Sequence, residues 1–156
     1  MEYTVSTLEE IKAYISMQPQ TSNIYIGVDS ERYKDKGKWV ADYTIAIIIH
    51  HNGNNGGKIF GWVETDFDFD PKLNKPMMRM MNEVYHAADT YLKLADILED
   101  RHCEIHLDIA TNELHGSNCA MHQAIGYIKG VCGKTPKLKP EAFAASYAAD
   151  RLKEFI

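Results

Sequence analysis

Four carboxylates in this 156-residue chain stand where a side chain can do chemistry. Asp29 closes the apolar run Ile24-Tyr25-Ile26-Gly27-Val28, and Asp108 closes Cys103-Glu104-Ile105-His106-Leu107. Glu83 flanks an apolar stripe of helical period, and Asp150 shares a helical face with Phe143, Ser146 and Tyr147. Side chains alternate along a strand, so Ile24, Ile26 and Val28 point one way and Tyr25, Gly27 and Asp29 the other. A carboxylate ending such a strand meets water in a turn, pairs with a cation or binds a metal, because burying it alone is costly. If the two strands lie side by side and parallel, Asp29 and Asp108 become neighbours, and two close carboxylates repel unless a cation sits between them. Glu83 and Asp150, arriving from flanking helices, would complete a pocket of hard oxygen donors suited to Mg2+ or Mn2+. A pair of such ions about 4 Å apart can activate a water and stabilise a leaving oxygen in phosphodiester hydrolysis.

The elements that must position these acids are legible in the residue pattern. Ser6 with Glu9 three residues on reads as the cap of a helix whose stripe is Leu8, Ile11, Tyr14 and Ile15. The Asp29 strand follows, then a turn at Lys34-Asp35-Lys36-Gly37, then a strand over residues 39–50 rich in β-branched and aromatic side chains. Asn52-Gly53-Asn54-Asn55-Gly56-Gly57 marks a second turn, and residues 58–64 return, which makes an antiparallel meander. Met77, Met81, Val84, Ala88, Tyr91, Ala95 and Leu98 recur at helical spacing, with Arg79 one turn before Glu83 and able to pair with it. The Asp108 strand comes next, and a helix over residues 119–131 ends at Gly133. Residues 134–139 offer at most a short strand, broken by Pro136, and Pro140 opens a last helix carrying Asp150. Crossovers through a helix are overwhelmingly right-handed and return the chain parallel to an earlier strand.

Composition narrows the setting. With 45% hydrophobic residues the chain has material for a real core. No apolar run has the length of a membrane span, and Met1-Glu2-Tyr3-Thr4 is no leader, so a cytoplasmic protein is expected. Cys103, Cys119 and Cys132 are odd in number and widely spaced, which points to reduced thiols. The net charge of −5 excludes holding nucleic acid by overall charge alone. Basic residues nonetheless gather at Arg32, Lys34, Lys36 and Lys38 and again at Lys129, Lys134, Lys137 and Lys139, while acid collects in Glu64-Thr65-Asp66-Phe67-Asp68-Phe69-Asp70.

Taken in order, Ile24-Tyr25-Ile26-Gly27-Val28-Asp29-Ser30, Arg79 with Glu83, His106-Leu107-Asp108, His115-Gly116-Ser117, and Lys139-Pro140 followed by Ala145-Ser146 and Ala148-Ala149-Asp150 form a recognisable set. From about residue 22 to 154 the chain resembles the ribonuclease H-like superfamily, and within it the YkuK group of bacterial and phage proteins. The resemblance implies an α/β fold, a five-stranded mixed sheet of order 3-2-1-4-5 flanked by helices. Residues 1–20 are then an added N-terminal helical extension and residues 21–156 the ribonuclease H-like domain. It also implies a metal-dependent nuclease using two Mg2+ or Mn2+ ions, with Asp29, Glu83, Asp108 and Asp150 at the four acid positions. Arg32, Lys34, Lys134, Lys137 and Lys139 would then contact phosphates of DNA, RNA or hybrid, and His115 would orient water or shuttle a proton. Glu104 and Glu113 are alternative ligands because both lie close to Asp108 in sequence.

Other readings compete. Junction resolvases share the superfamily's acids and act as homodimers, so a Holliday-junction-resolvase-like endonuclease is the nearest rival among enzymes. A non-catalytic nucleic-acid- or protein-binding module on the same fold is a rival of another class, with Phe67 and Phe69 as a docking segment. His115, Cys119 and His122, with His106 or Cys132, have short spacings of the kind zinc uses, though no paired Cys-x2-Cys accompanies them.

Overall fold

The computed structural model describes residues 2–5, 7–51, 56–72 and 74–145. A short strand, β1 (Glu2–Val5), precedes helix α1 (Leu8–Ser16); β2 (Asn23–Asp35), β3 (Lys38–His50) and β4 (Gly57–Phe67) then form the meander. Lys36 and Gly37 join β2 to β3 with φ of 50° and 80°, the left-handed pair that a two-residue hairpin loop demands. Helix α2 (Met77–Leu98) crosses over the sheet to β5 (His102–Leu107), and a 3₁₀ turn (Gly116–Ala120) leads into α3 (Met121–Cys132). Gly133, at φ 66°, ends α3. No described helix is long and apolar enough to cross a membrane.

The sheet order is β1-β4-β3-β2-β5. Its last four strands match the expected 3-2-1-4 arrangement, with β5 parallel to β2 from Asn23↔His102 to Val28↔Leu107. The expected fifth strand over residues 134–139 is not formed. It shrinks to a single parallel bridge between His106 and Lys137, where Leu107 N donates to Lys137 O and Lys137 N to Ile105 O, each at 2.9 Å. Pro136 has no N–H to extend that ladder. The sheet's fifth strand is instead β1 at the opposite edge, parallel to β4 from Glu2↔Lys58 to Val5↔Gly61. Residues 1–20 therefore contribute a strand as well as the expected helix.

Helices cover one face of the sheet. Ile24, Ile26, Val28, Ile45, Ile47, Ile49, Ile105 and Leu107 pack there with Ile11 and Ile15 of α1, Val84, Ala88 and Leu94 of α2, and Ala124 and Ile128 of α3. The other face has a smaller cluster, Tyr25, Ala46, Ile48 and Ile59, covered by Ala144. β3 is apolar on both sides at its centre because both sides are buried. Gly27 permits the cover: a Cβ there would overlap the backbone of Ala144 and Ala145.

The α1 cap differs from expectation, while α2 starts at Met77 as expected but is capped from a distance. Thr7 caps α1, its hydroxyl accepting from Glu10 N at 3.3 Å, and Ser6 lies outside the described residues. Pro76 gives α2 no side-chain cap; Asp70 reaches in from the preceding loop and accepts from Met78 N at 2.7 Å and Arg79 N at 2.9 Å. That satisfies two orphan donors and sets a negative charge at the positive end of the helix. Most of the last expected helix, with Ser146, Tyr147 and Asp150, lies outside the described residues.

Candidate active site

Val28↔Leu107 is the final pair of the β2–β5 ladder, so Asp29 and Asp108 follow it on adjacent parallel strands. β2 continues past that point alone on this side, and Ser30 turns toward α2. The Ser30 hydroxyl donates to Glu83 Oε2 and accepts from Arg79 Nη1 at 2.9 Å, with a longer contact of 3.4 Å from Nη1 to the Ser30 carbonyl. Arg79 is thus not the direct partner of Glu83 that helical spacing proposes. Its Nε lies 4.0 Å from Asp68 Oδ2, and Ser30 mediates between it and the acid.

Glu83 is 2% exposed, and its Oε1 has no hydrogen-bond partner among the described residues. Burial, with the charges of Asp29 and Asp108 added, holds its carboxyl well above the ordinary 4.5, although the Ser30 hydroxyl and Arg79 pull the other way. Asp29 and Asp108 are half-buried. Asp108 Oδ1 lies 2.9 Å from Lys139 Nζ in an ion pair whose angles fall short of a hydrogen bond. Lys139, expected among phosphate contacts, therefore sits on an acid. Asp150, the fourth expected ligand, lies outside the described residues.

With Glu83 turned to Ser30 and Asp108 to Lys139, no three His, Cys, Asp or Glu side chains among the described residues converge on one point as a metal-holding group. The same finding removes support from zinc at His115, Cys119 and His122. The chemistry of the carboxylate set does fit a divalent ion: a buried Glu83 oxygen orphaned among the described residues, an ammonium on Asp108, and two acids whose charges raise the proton affinity of Glu83 are features a hard cation would relieve.

The remaining expected residues are distributed as follows. His115 is exposed and lines a cleft with Glu113, Cys119, Lys75 and Pro76. Glu104 is taken by two histidines, His102 Nε2 at 2.7 Å and His106 Nε2 at 3.0 Å. Burial works to raise Glu104, but those two partners outweigh it and lower its pKa. Arg32 pairs with Asp68 at 2.8 Å, Lys34 lies over Trp39, Lys134 lies over Tyr91, and Lys137 is exposed beside the bridge to His106.

Four residues take roles that sequence reasoning does not assign them. Ser30 follows Asp29 and reads as a turn residue, yet it orients Glu83. Asp68 and Asp70, in a stretch that reads as a solvated acidic loop, are buried and tie α2 to β2 through Arg32. His106 is 1% exposed; its Nδ1 accepts from Ala144 N at 3.1 Å, so Nε2 carries the proton toward Glu104. Burial lowers the His106 pKa against the pull of Glu104, keeping it neutral for that acceptor role. It pins the segment that leads to Asp150. Alternation along β5, which puts His106 on the same face as Glu104, was the available signal.

No curated protein and no solved structure shows a significant match to the chain. A family model described as Ribonuclease H-like matches residues 6–154, nearly the whole chain, and the order β4-β3-β2-β5 with the α2 crossover agrees with it: the protein belongs to the ribonuclease H-like family.

Proposed function

We propose that this protein is a divalent-metal-dependent nuclease that hydrolyses phosphodiester bonds of nucleic acid, with Asp29, Glu83, Asp108 and Asp150 as ion-holding carboxylates. One observation carries the reading: the β2–β5 register ends at Val28↔Leu107 and releases Asp29 and Asp108 side by side, within electrostatic reach of a buried Glu83 whose Oε1 is unpartnered among the described residues. Such an arrangement costs free energy that packing alone does not require. Mg2+ or Mn2+ bound there would supply the charge that lowers the pKa of a water and steadies a departing oxygen. Ser30 and Arg79 hold Glu83 in one orientation, and Lys139 balances Asp108 until another cation arrives. Lys34, Lys134 and Lys137 are the phosphate contacts of this reading, and His115, exposed in its cleft, is its candidate to orient water or shuttle a proton. A cytoplasmic setting fits three free thiols.

A second reading has its own support, since Asp108 is ion-paired and Glu83 is hydrogen-bonded with its proton favoured: an acid set satisfied in this way also suits a binding module without turnover. The test is calorimetric titration with Mn2+ alongside cleavage assays on labelled DNA, RNA, hybrid and four-way junction. Mn2+ binding and cleavage that both vanish in Asp29→Asn and Asp108→Asn support the nuclease. Nucleic-acid binding that survives Asp29→Asn, without cleavage in either form, favours the module. Selective cutting of the junction, together with a dimer in sedimentation, would make the enzyme resolvase-like.

A further inference from the structure

The far end of the β2–β3 hairpin carries aromatic side chains that the core does not use. Phe69 is 69% exposed, Phe67 49%, Tyr33 39% and Trp39 38%. Phe67 and Phe69 lie with ring centres 6.1 Å apart, and together with Trp39, Lys38 and Asp68 they line a cleft of about 340 Å³. Cations border the rings: Lys38 Nζ is 5.6 Å from the Phe67 centroid, Lys34 Nζ is 5.1 Å from that of Trp39, and the Arg32 guanidinium lies over Trp39 at 4.2 Å. The acid in the cleft wall is already neutralised, because Asp68 is paired with Arg32 at 2.8 Å. Nearby Asp66 spends an oxygen on Phe67 N at 2.8 Å. Exposed rings in an apolar patch mark a binding surface. Rings edged by ammonium groups select flat aromatic faces joined by negative charge.

The surface is tied rigidly to the acids. Arg32 also donates to the Asp70 carbonyl at 3.2 Å, and Asp70 caps the helix that bears Arg79 and Glu83. Lys34, which pairs with Trp39 in the ladder, stands five residues beyond Asp29, or about 17 Å along a strand. That separation spans about five nucleotides at the spacing of a stacked strand.

We infer that this surface binds an unpaired, single-stranded segment of the nucleic acid, with bases stacked on Trp39, Phe67 and Phe69 and phosphates on Lys34, Lys36 and Lys38. The inference rests on the nucleic-acid reading above and adds the substrate's form: a free strand must lie within about five nucleotides of the bond presented to the acids. A closed duplex hides its base faces and gives the rings nothing to stack on. An apolar peptide or a second copy of this chain would use the rings but leave the lysines idle.

The test uses the full chain in EDTA, where metal binding and cleavage play no part. Fluorescence anisotropy with labelled oligothymidylate and with its blunt oligothymidylate–oligoadenylate duplex compares the parent with Phe67→Ala/Phe69→Ala, folding being checked by circular dichroism. The expected result is tighter binding of the single strand by the parent, a loss of about tenfold or more in the variant, and little change for the duplex. Tryptophan fluorescence is a second measurement that does not depend on that variant: Trp62→Phe leaves Trp39 as the one tryptophan, and oligothymidylate should quench it. Parent and variant binding the strand equally, or an unquenched Trp39 in a complex that forms, overturns this surface and leaves the nuclease reading standing. A parent that binds no single strand in EDTA overturns this surface, and the nuclease reading is then decided by the Mn2+ titration and cleavage assays. A self-association in sedimentation that the double variant abolishes, with strand binding unchanged, assigns the surface to a second copy and overturns the inference.

Discussion

Two buried carboxylates lie on either side of Arg79 and are treated in opposite ways. Asp68, in the loop before α2, is 7% exposed and has the Arg32 guanidinium at 2.8 Å and Arg79 at 4.0 Å. Glu83, on α2, is 2% exposed and has one hydroxyl, one oxygen unpartnered among the described residues and two further acids in electrostatic range. A carboxylate buried for architecture is surrounded by fixed cations of the protein. Glu83 instead keeps one oxygen open among the described residues and its negative neighbours close, which is what the proposed ion site would use. The loop before α2 and the second turn of that helix therefore hold a structural anchor and, in the proposed reading, a reactive group, with Arg79 reaching toward Asp68 through Nε and toward Ser30 through Nη1.

The contrast breaks most sharply at the anchor. Asp68→Ala strands Arg32 and Arg79 inside the loop and is expected to lower stability by about 3–5 kcal/mol in urea unfolding, the usual cost of removing one partner of a buried pair. Glu83→Gln, a change of similar size in an equally buried place, is expected to leave stability unchanged or raise it by about 1 kcal/mol while weakening Mn2+ binding at least about tenfold in calorimetry. If both substitutions cost the same stability, the distinction between anchor and reactive group fails.

Titration sharpens it. The folded state holds the Glu83 proton more tightly than the unfolded chain, so this contribution is complete below the ordinary carboxylate value of 4.5 and is lost as pH rises through the higher folded value. Parent stability should therefore fall relative to Glu83→Gln as pH increases above about 4.5, with urea midpoints as the measure. Ser30→Ala is expected to cost about 1 kcal/mol, because it removes one hydroxyl that serves both sides of the divide. Smallest in stability is Lys139→Met: with Lys139 43% exposed the loss should stay under about 1 kcal/mol. Mn2+ affinity should rise a few-fold once the ammonium no longer competes for Asp108, and an affinity that falls would make Lys139 a supporter of the ion site.

The sequence made the meander, the parallel return of β5 and the meeting of Asp29 with Asp108 legible, because alternation, turn residues and crossover handedness are local or nearly universal rules. Residues 134–139 resisted that reading because a single bridge at Lys137 is decided by what β5 offers across space and by Pro136. β1 resisted it because four residues carry too little periodicity to be seen before their partner, β4, is known. Asp68 and Asp70 looked solvated because their neighbours in sequence are polar, whereas their neighbours in space are Arg32 and the start of α2. Ser30 was hidden for the same reason: its role exists only once α2 crosses the sheet. Asp150 lies outside the described residues.

The fit of Ala144 against Gly27 also has a consequence in time. Tyr25, Ala46, Ile48 and Ile59 form an apolar face whose cover lies near the other end of the chain. Between Ile59 and Ala144 a ribosome adds 85 residues, roughly 4–17 s of synthesis at 5–20 residues per second. Throughout that interval this apolar face has no cover from its own chain, and it is the last part of the sheet to be closed off from wrong contacts while the protein is being made.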